Sequence, residues 1–465
     1  MFAQTSDEEL ALHLANVNGD GHLGAADEQL VRNAFLRRRG TGLRPAPEFD
    51  QRADVLGRGV IDEETLAAVR QTVRSQNGSV AIPRRPITVA WHYGWYNQIA
   101  RSPGLQTVGF KGGDYASSDP EVESLFNDQK NEFGITVDAV SWIPPEFNSR
   151  MLDNYRRGLF RTPNLATRHF ALLYESTISL PLGADKRTDF LEPTVVNRLI
   201  DHFGRMARFL LELRDQAGGR IFRLDGRPVM FIFGSHTWGR VADRDVQLDA
   251  VDRTFDLARN AFEREFGVPP FVIGEEMALS ATAEVSMDRL RRSAGFDGTH
   301  VYHHASSLKL SEVSGLGHVV FPLTERYTQN QLGILEHTYN ALRDVRNRHT
   351  GRPVLVIPNL APGFAKPGLP TLLMKRGPYA DFMRQLERLH LDRYINEIWA
   401  NELGGPVLPA PVYIVGSWNE EFEGHSIFPA AFNESVGQFQ QGGFDLAMAI
   451  KQVFGWNHYS ERPIL

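Results

Sequence analysis

The stretch VYIVGSWNEEFEGHSIFPA, residues 412–430, carries three carboxylates within four positions: Glu420, Glu421 and Glu423. Carboxylates that close raise one another's pKa values. The apolar run before them reads as a buried strand ending at Trp418 and Asn419. Glu420 and Glu423 stand three apart, so in a loop or first helical turn both can project to one side. Two carboxyls facing one bond are what glycoside hydrolysis requires, one protonating the leaving oxygen and one acting at the anomeric centre. The same acids would also suit an ordinary helix start, where they complement the helix dipole.

Other chemistry-bearing residues collect where apolar runs end. Reading along the chain gives Tyr93, Trp95 and Tyr96, then Ser141 and Trp142, then Glu175. His236 and Trp238, Glu275 and Glu276, Tyr302, His303 and His304, and Asn359 follow, before Trp418 and Asn419. Aromatic rings stack on the apolar faces of sugars, while carboxylates and amides bond the hydroxyls. Adjacent residues in a strand face opposite ways, so only one of His303 and His304 can face a pocket, and no metal is expected there. Glu275 is the weaker site candidate of its pair. The candidate substrate-binding set is Tyr93, Trp95, Tyr96, Trp142, Glu175, Tyr302, His303, Trp418 and Asn419.

Positioning these groups requires a repeated frame. Eight apolar, β-branched or aromatic runs occur at 87–96, 137–143, 169–175, 228–234, 270–275, 297–303, 353–359 and 411–419. Near-continuous apolar runs suit parallel strands covered on both faces. Between them lie segments with apolar residues at spacings of three and four, such as VVNRLIDHFGRMARFLLELRDQ, which predict amphipathic helices. Alternating strands and helices predict an α/β fold, a (β/α)8 TIM barrel, with chemistry at the C-terminal strand ends. A doubly wound sheet is the other reading, but the first strand lacks a Gly-rich phosphate turn.

Residues 1–78 read as a small all-α module, 79–86 as a linker and 87–465 as the catalytic barrel. NVNGDGHLGAAD (16–27) places Asn16, Asn18, Asp20 and Asp27 at loop positions 1, 3, 5 and 12, with His22 at position 7 and Gly21 at position 6. That is the spacing of an EF-hand calcium loop, so Ca2+ is expected there. A second copy beginning at Asp54 has Leu56 and Arg58 at liganding positions, which cannot hold calcium.

The composition narrows the classes. A net charge of −6 gives no reason to expect nucleic acid or an anionic membrane. No apolar stretch approaches a membrane span. The absence of cysteine excludes disulfides and thiolate chemistry. The N-terminal residues show neither a basic n-region nor an apolar h-region, so no signal peptide is expected from them. A secreted or cell-surface location is nonetheless the expectation for a polysaccharide-active chain.

SWNEEFEGHSIFPA (417–430) resembles the SWNEWHEGTQIEPA-type signature of glycoside hydrolase family 99. HYGWY (92–96), DPEV (119–122), LLYE (172–175), DGRPVMFIF (225–233), GFDGTHVY (295–302) and IPNLAPGF (357–364) resemble further family segments, in the family's order. The resemblance covers residues 87–435 and implies a retaining endo-α-mannosidase-like barrel without a catalytic cofactor. By resemblance Glu420 is the base acting on the sugar 2-hydroxyl, giving a 1,2-anhydro intermediate, and Glu423 is the general acid/base. The Trp-His pair between the family's two acids is Glu421-Phe422 here, which bears directly on α-mannan specificity. The N-terminal loops with their following helices are similar to a dockerin, which implies a protein partner besides the glycan. A non-catalytic carbohydrate-binding barrel and a related glycosidase, such as an α-glucanase, are the other readings.

Overall fold

The computed structural model describes residues 86–96, 105–107, 116–277, 285–302, 323–364, 372–373, 376–391, 411–419, 427, 430–432 and 445–454. All fall in one compact unit, Arg85–Tyr394 with Pro411–Leu465. The module expected over 1–78, the linker (Pro86 apart), and Asn16, Asn18, Asp20, His22 and Asp27 lie outside the described residues. So do His303, Glu420 and Glu423.

Each of the eight apolar runs contains a strand. They are β1 (Ile87–His92), β2 (Val137–Trp142), β3 (His169–Glu175), β4 (Arg227–Phe233), β5 (Phe271–Gly274), β6 (Gly298–Thr299), β7 (Leu355–Val356) and β8 (Val412–Ser417). They form one parallel sheet in the order β7-β6-β5-β4-β3-β2-β1-β8. A parallel bridge between Asn359 and Ile414 links the chain just after β7 to β8. Its hydrogen bonds run from Leu360 N to Ile414 O (2.6 Å) and from Ile414 N to Pro358 O (2.9 Å).

Among the described residues a principal helix lies in each connection, and a single-turn helix at Ser176–Ser179 also follows β3: α1 (Pro120–Phe133), α2 (Ser149–Arg157), α3 (Pro193–Asp215), α4 (Arg244–Phe266), α5 (Met287–Gly295), α6 (Leu323–Leu342) and α7 (Arg376–Leu389). α8 (Asp445–Phe454) follows β8. Local sequence sets their ends. Asp119 caps α1 by accepting from Glu121 N, Pro120 occupies the first turn, and Gly134 closes the helix at φ +77°. Among the described residues no helix is long and apolar enough to cross a membrane.

The sheet has two buried faces. Phe170, Leu172 and Tyr174 of β3 join an outer apolar layer with Leu199, Phe203 and Met206 of α3 and Phe255 and Phe262 of α4. The alternate residues of each strand point the other way. On that inner face Trp91 of β1 meets Phe231 of β4, ring centroids 5.0 Å apart. Three strand spacings separate β1 from β4, about 14 Å along a flat sheet. The contact therefore requires the sheet to curl on itself. The architecture is a curled parallel sheet wrapped by helices, consistent with an α/β barrel.

Candidate active site at the strand C-termini

Two asparagines and two tyrosines organise the C-terminal end of the sheet. Asn419, just after β8, accepts from Tyr93 N through Oδ1 and donates from Nδ2 to Tyr93 O, both at 2.9 Å. Its amide thus clasps the backbone at the end of β1. Asn359, after β7, donates to Val301 O (3.0 Å) and to Tyr302 O, and accepts from Ala361 N (2.9 Å). Tyr302 N donates in turn to Glu275 Oε1 (3.2 Å). With both backbones held, the hydroxyls of Tyr93 and Tyr302 meet at 2.6 Å.

Around this pair lies an aromatic and acidic lining. Trp95 stacks on Tyr93 with centroids 4.3 Å apart and 27° between planes, and it is only partly buried. Tyr96 packs edge-on against Trp95 and is buried. Gly94, between Tyr93 and Trp95, lets α2 approach. A Cβ there would sit 2.6 Å from the Tyr155 ring, whose hydroxyl donates to His92 O. Tyr302 lies against Phe233 and parallel to Trp91. Ser141 Oγ donates to Glu175 Oε1 at 2.9 Å, placing that carboxylate on the inner face.

Glu275 also faces inward and is buried. Burial would push its pKa up. The His236 imidazole 3.4 Å away, the more distant His300 and the Gly234 N–H outweigh that and hold it at about 2. It stays ionised and cannot serve as a general acid near neutrality. Burial lowers the His300 pKa, and the imidazole packs between Trp91 and Phe231.

Two of the expected ring platforms face elsewhere. Trp142 packs against Tyr174 and His202 on the helix side of the sheet, with Arg205 over its ring. Trp418 is fully buried against Phe126 of α1, with Lys130 5.3 Å from its centroid. The structure does not bring these two rings together with Tyr93, Trp95 and Tyr302. Near-continuous apolar strands hide which residues face inward, and for that reason Trp91, Phe231, Phe233 and His300 escaped sequence reasoning. Counting in twos back from Tyr93 would have found Trp91.

Behind β1 and β2, α1 buries a chain of charges. Lys130 Nζ lies 2.6 Å from Asp138 and 2.7 Å from His92 Nδ1, Glu123 lies 3.1 Å from His92 Nε2, and Arg168 bonds Asp138 at 2.9 Å. Burial raises the Asp138 pKa, but Arg168 and Lys130 overcome it and push it far below the usual range. Burial lowers that of Lys130. This network sits on the helix side and braces the strand ends from behind. Among the described residues, no group of three or more His, Asp or Glu side chains is placed to hold a metal ion.

The fold is similar to that of a solved "Glycoside hydrolase-like protein", with a TM-score of 0.53 at 14% identity over 79% of this chain and 93% of that one. The GH99 endo-alpha-mannosidase from Bacteroides thetaiotaomicron aligns over 80% of this chain and 95% of its own, at 15% identity and a TM-score of 0.41. A glycoside hydrolase family 5 enzyme from Prevotella bryantii B14 aligns over 79% and 95%, at 9% identity and a TM-score of 0.42. Identities this low speak to the fold alone, and the last two scores add nothing to it. No protein-family profile and no curated protein matches the sequence.

Proposed function

We propose that the chain is a (β/α)8-barrel glycoside hydrolase that cleaves an α-linked glycan with retention, in the manner of endo-α-mannosidases. The observation that carries this is the anchoring of the acidic segment. Residues 420–426 leave at Asn419, which is clasped to Tyr93. They return at Ile427, which is buried and donates from its N–H to Ser417 O at 3.0 Å. Both anchors lie at the C-terminal end of the sheet, the end that also carries Tyr93, Trp95, Tyr302, Glu175 and Glu275. The bridge between Asn359 and Ile414 supports the closed barrel, and the likeness to a glycoside hydrolase-like protein supports the class.

In this reading Glu420 accepts the proton of the sugar 2-hydroxyl as that oxygen attacks C1. Glu423 donates its proton to the departing glycosidic oxygen. Water then opens the 1,2-anhydro sugar at C1, giving a proton to Glu423, while Glu420 returns its proton to O2. Two inversions leave the anomer unchanged. Glu423 must begin protonated, which crowding by Glu420 and Glu421 favours.

A panel of α-linked mannans, glucans and galactans, with products resolved by linkage and anomer, tests the proposal. At least one substrate should be cleaved with retention, and Glu423→Gln should lower kcat by about 10²- to 10⁴-fold with the fold intact. Cleavage that survives the substitution overturns the assignment of Glu423. Binding without any cleavage by the parent chain identifies a carbohydrate-binding barrel instead.

A further inference from the structure

Glu275 is ionised and buried, yet its partner His236 is half-buried, with 32% of its side chain exposed. The turn that carries His236, Gly234–Thr237 after β4, is gripped from several sides. Gly234 N donates to Glu275 Oε2 (2.7 Å). Ser235 Oγ accepts from Glu275 N (2.7 Å) and donates to Glu276 Oε1 (2.8 Å). Glu276 is itself held in a buried two-pronged pair by Arg292 (2.9 and 3.0 Å). Arg187 Nη1 donates to His236 O at 3.2 Å.

The adjacent acids just after β5 thus do different work. Glu276 turns towards α5 and fixes the turn from behind. Glu275 turns inward and faces the imidazole at Nδ1, 3.4 Å away. A carboxylate 3.4 Å from Nδ1 favours hydrogen on that nitrogen and leaves Nε2 turned towards another partner. Among the described residues, no contact of Nε2 accounts for so rigid a presentation. Phe233, also half-buried and in contact with Tyr302, supplies an apolar surface three residues before His236.

We infer that His236 is a substrate-contacting residue, its Nε2 accepting a hydrogen bond from a sugar hydroxyl at the C-terminal end of β4, and that Glu275 is its positioning residue. The inference rests on the glycan-cleaving reading above and assigns one more contact to that site. The ligand class is a neutral polyhydroxylated ring, held through one hydroxyl at His236 with an apolar ring face available to Phe233.

The test uses the full chain carrying Glu423→Gln, so that binding is read without turnover. α-Linked manno-, gluco- and galacto-oligosaccharides are titrated into it by calorimetry, with and without His236→Ala, His236→Gln and Glu275→Gln. The expected result is about a 10-fold weaker Kd for His236→Ala, as for loss of one hydrogen bond to a polar ligand, with partial recovery in His236→Gln. In the otherwise unaltered enzyme the same variants should raise KM more than they lower kcat. Nitrogen-15 spectra of the histidines, with His236 assigned by its substitution, read the Glu275 role separately. Glu275→Gln should move that resonance away from the Nδ1–H tautomer, which a purely structural carboxylate would not do. Equal affinity of the parent and His236→Ala overturns the inference and leaves the glycosidase reading standing. Failure of every oligosaccharide to bind the parent overturns both.

Discussion

At the residue scale, the amide of Asn419 does work that its neighbours depend on. It satisfies both the N–H and the C=O of Tyr93 in a buried setting. Asn419→Ala removes both partners and should cost about 2–4 kcal/mol, as two buried backbone groups lose their bonds. Urea denaturation reads that loss, and activity should fall with it, because the clasp fixes Tyr93 at the end of β1 and Asn419 immediately precedes Glu420 in the chain. Tyr93→Phe is a milder probe. It removes one of two hydroxyls meeting at 2.6 Å and should lower stability by about 1 kcal/mol. The importance of residues 417–430 was legible in the sequence, because acids after a buried strand are unusual. The role of Asn419 was not. An asparagine beside two glutamates reads as a ligand contact, and only the register of β8 against β1 shows its amide spent on backbone.

At the element scale, the placement of the strands was readable because each apolar run is bounded by polar helical pattern, and all eight runs hold a strand. Their facing was not readable. β2 and β3 are buried on both sides, so polarity gives no alternation to follow. Trp142 consequently looked like a sugar platform when its ring belongs to the layer against α3. Two substitutions probe how the elements hold the site. Gly94→Ala drives a methyl into Tyr155, 2.6 Å from its ring, and should destabilise by about 1–3 kcal/mol while displacing Trp95. Lys130→Met leaves Asp138, Glu123 and His92 without their shared cation, and should cost about 3–5 kcal/mol. Thermal melts compare both with the parent. A Lys130→Met protein as stable as the parent would show that the network contributes nothing to holding α1 on the sheet.

At the scale of the whole molecule, buried histidines set the response to acid. Burial lowers the pKa of His169 and His202 to about 4 and of His390 to about 3, against an unfolded value near 6.5. Between those values the unfolded chain binds more protons, so stability falls as pH drops from about 6.5 towards 4. Glu275, held at about 2, favours the native state above the unfolded carboxyl value and loses that contribution as pH falls further. Glu387, raised by burial to about 7, works in the opposite sense, its native preference fading as pH rises from 4.5. With five lowered histidines, His300 and His349 among them, against Glu387 and the raised His92, urea midpoints should decrease from pH 7 to pH 4. A flat profile across that range would contradict these assignments.

The two neighbours of β8 hold it unequally. Along β1 it is paired at four positions from Ile87 to Trp91, with the Asn419 clasp beyond them. Towards β7, among the described residues, it has one bridge, at Asn359. Under a pulling force the curled sheet has a built-in parting line, between its seventh and eighth strands. Strand eight would travel with strand one, carrying Asn419 and Tyr93 as a single piece, and a molecule opened there would still keep the two anchors of its acidic segment side by side.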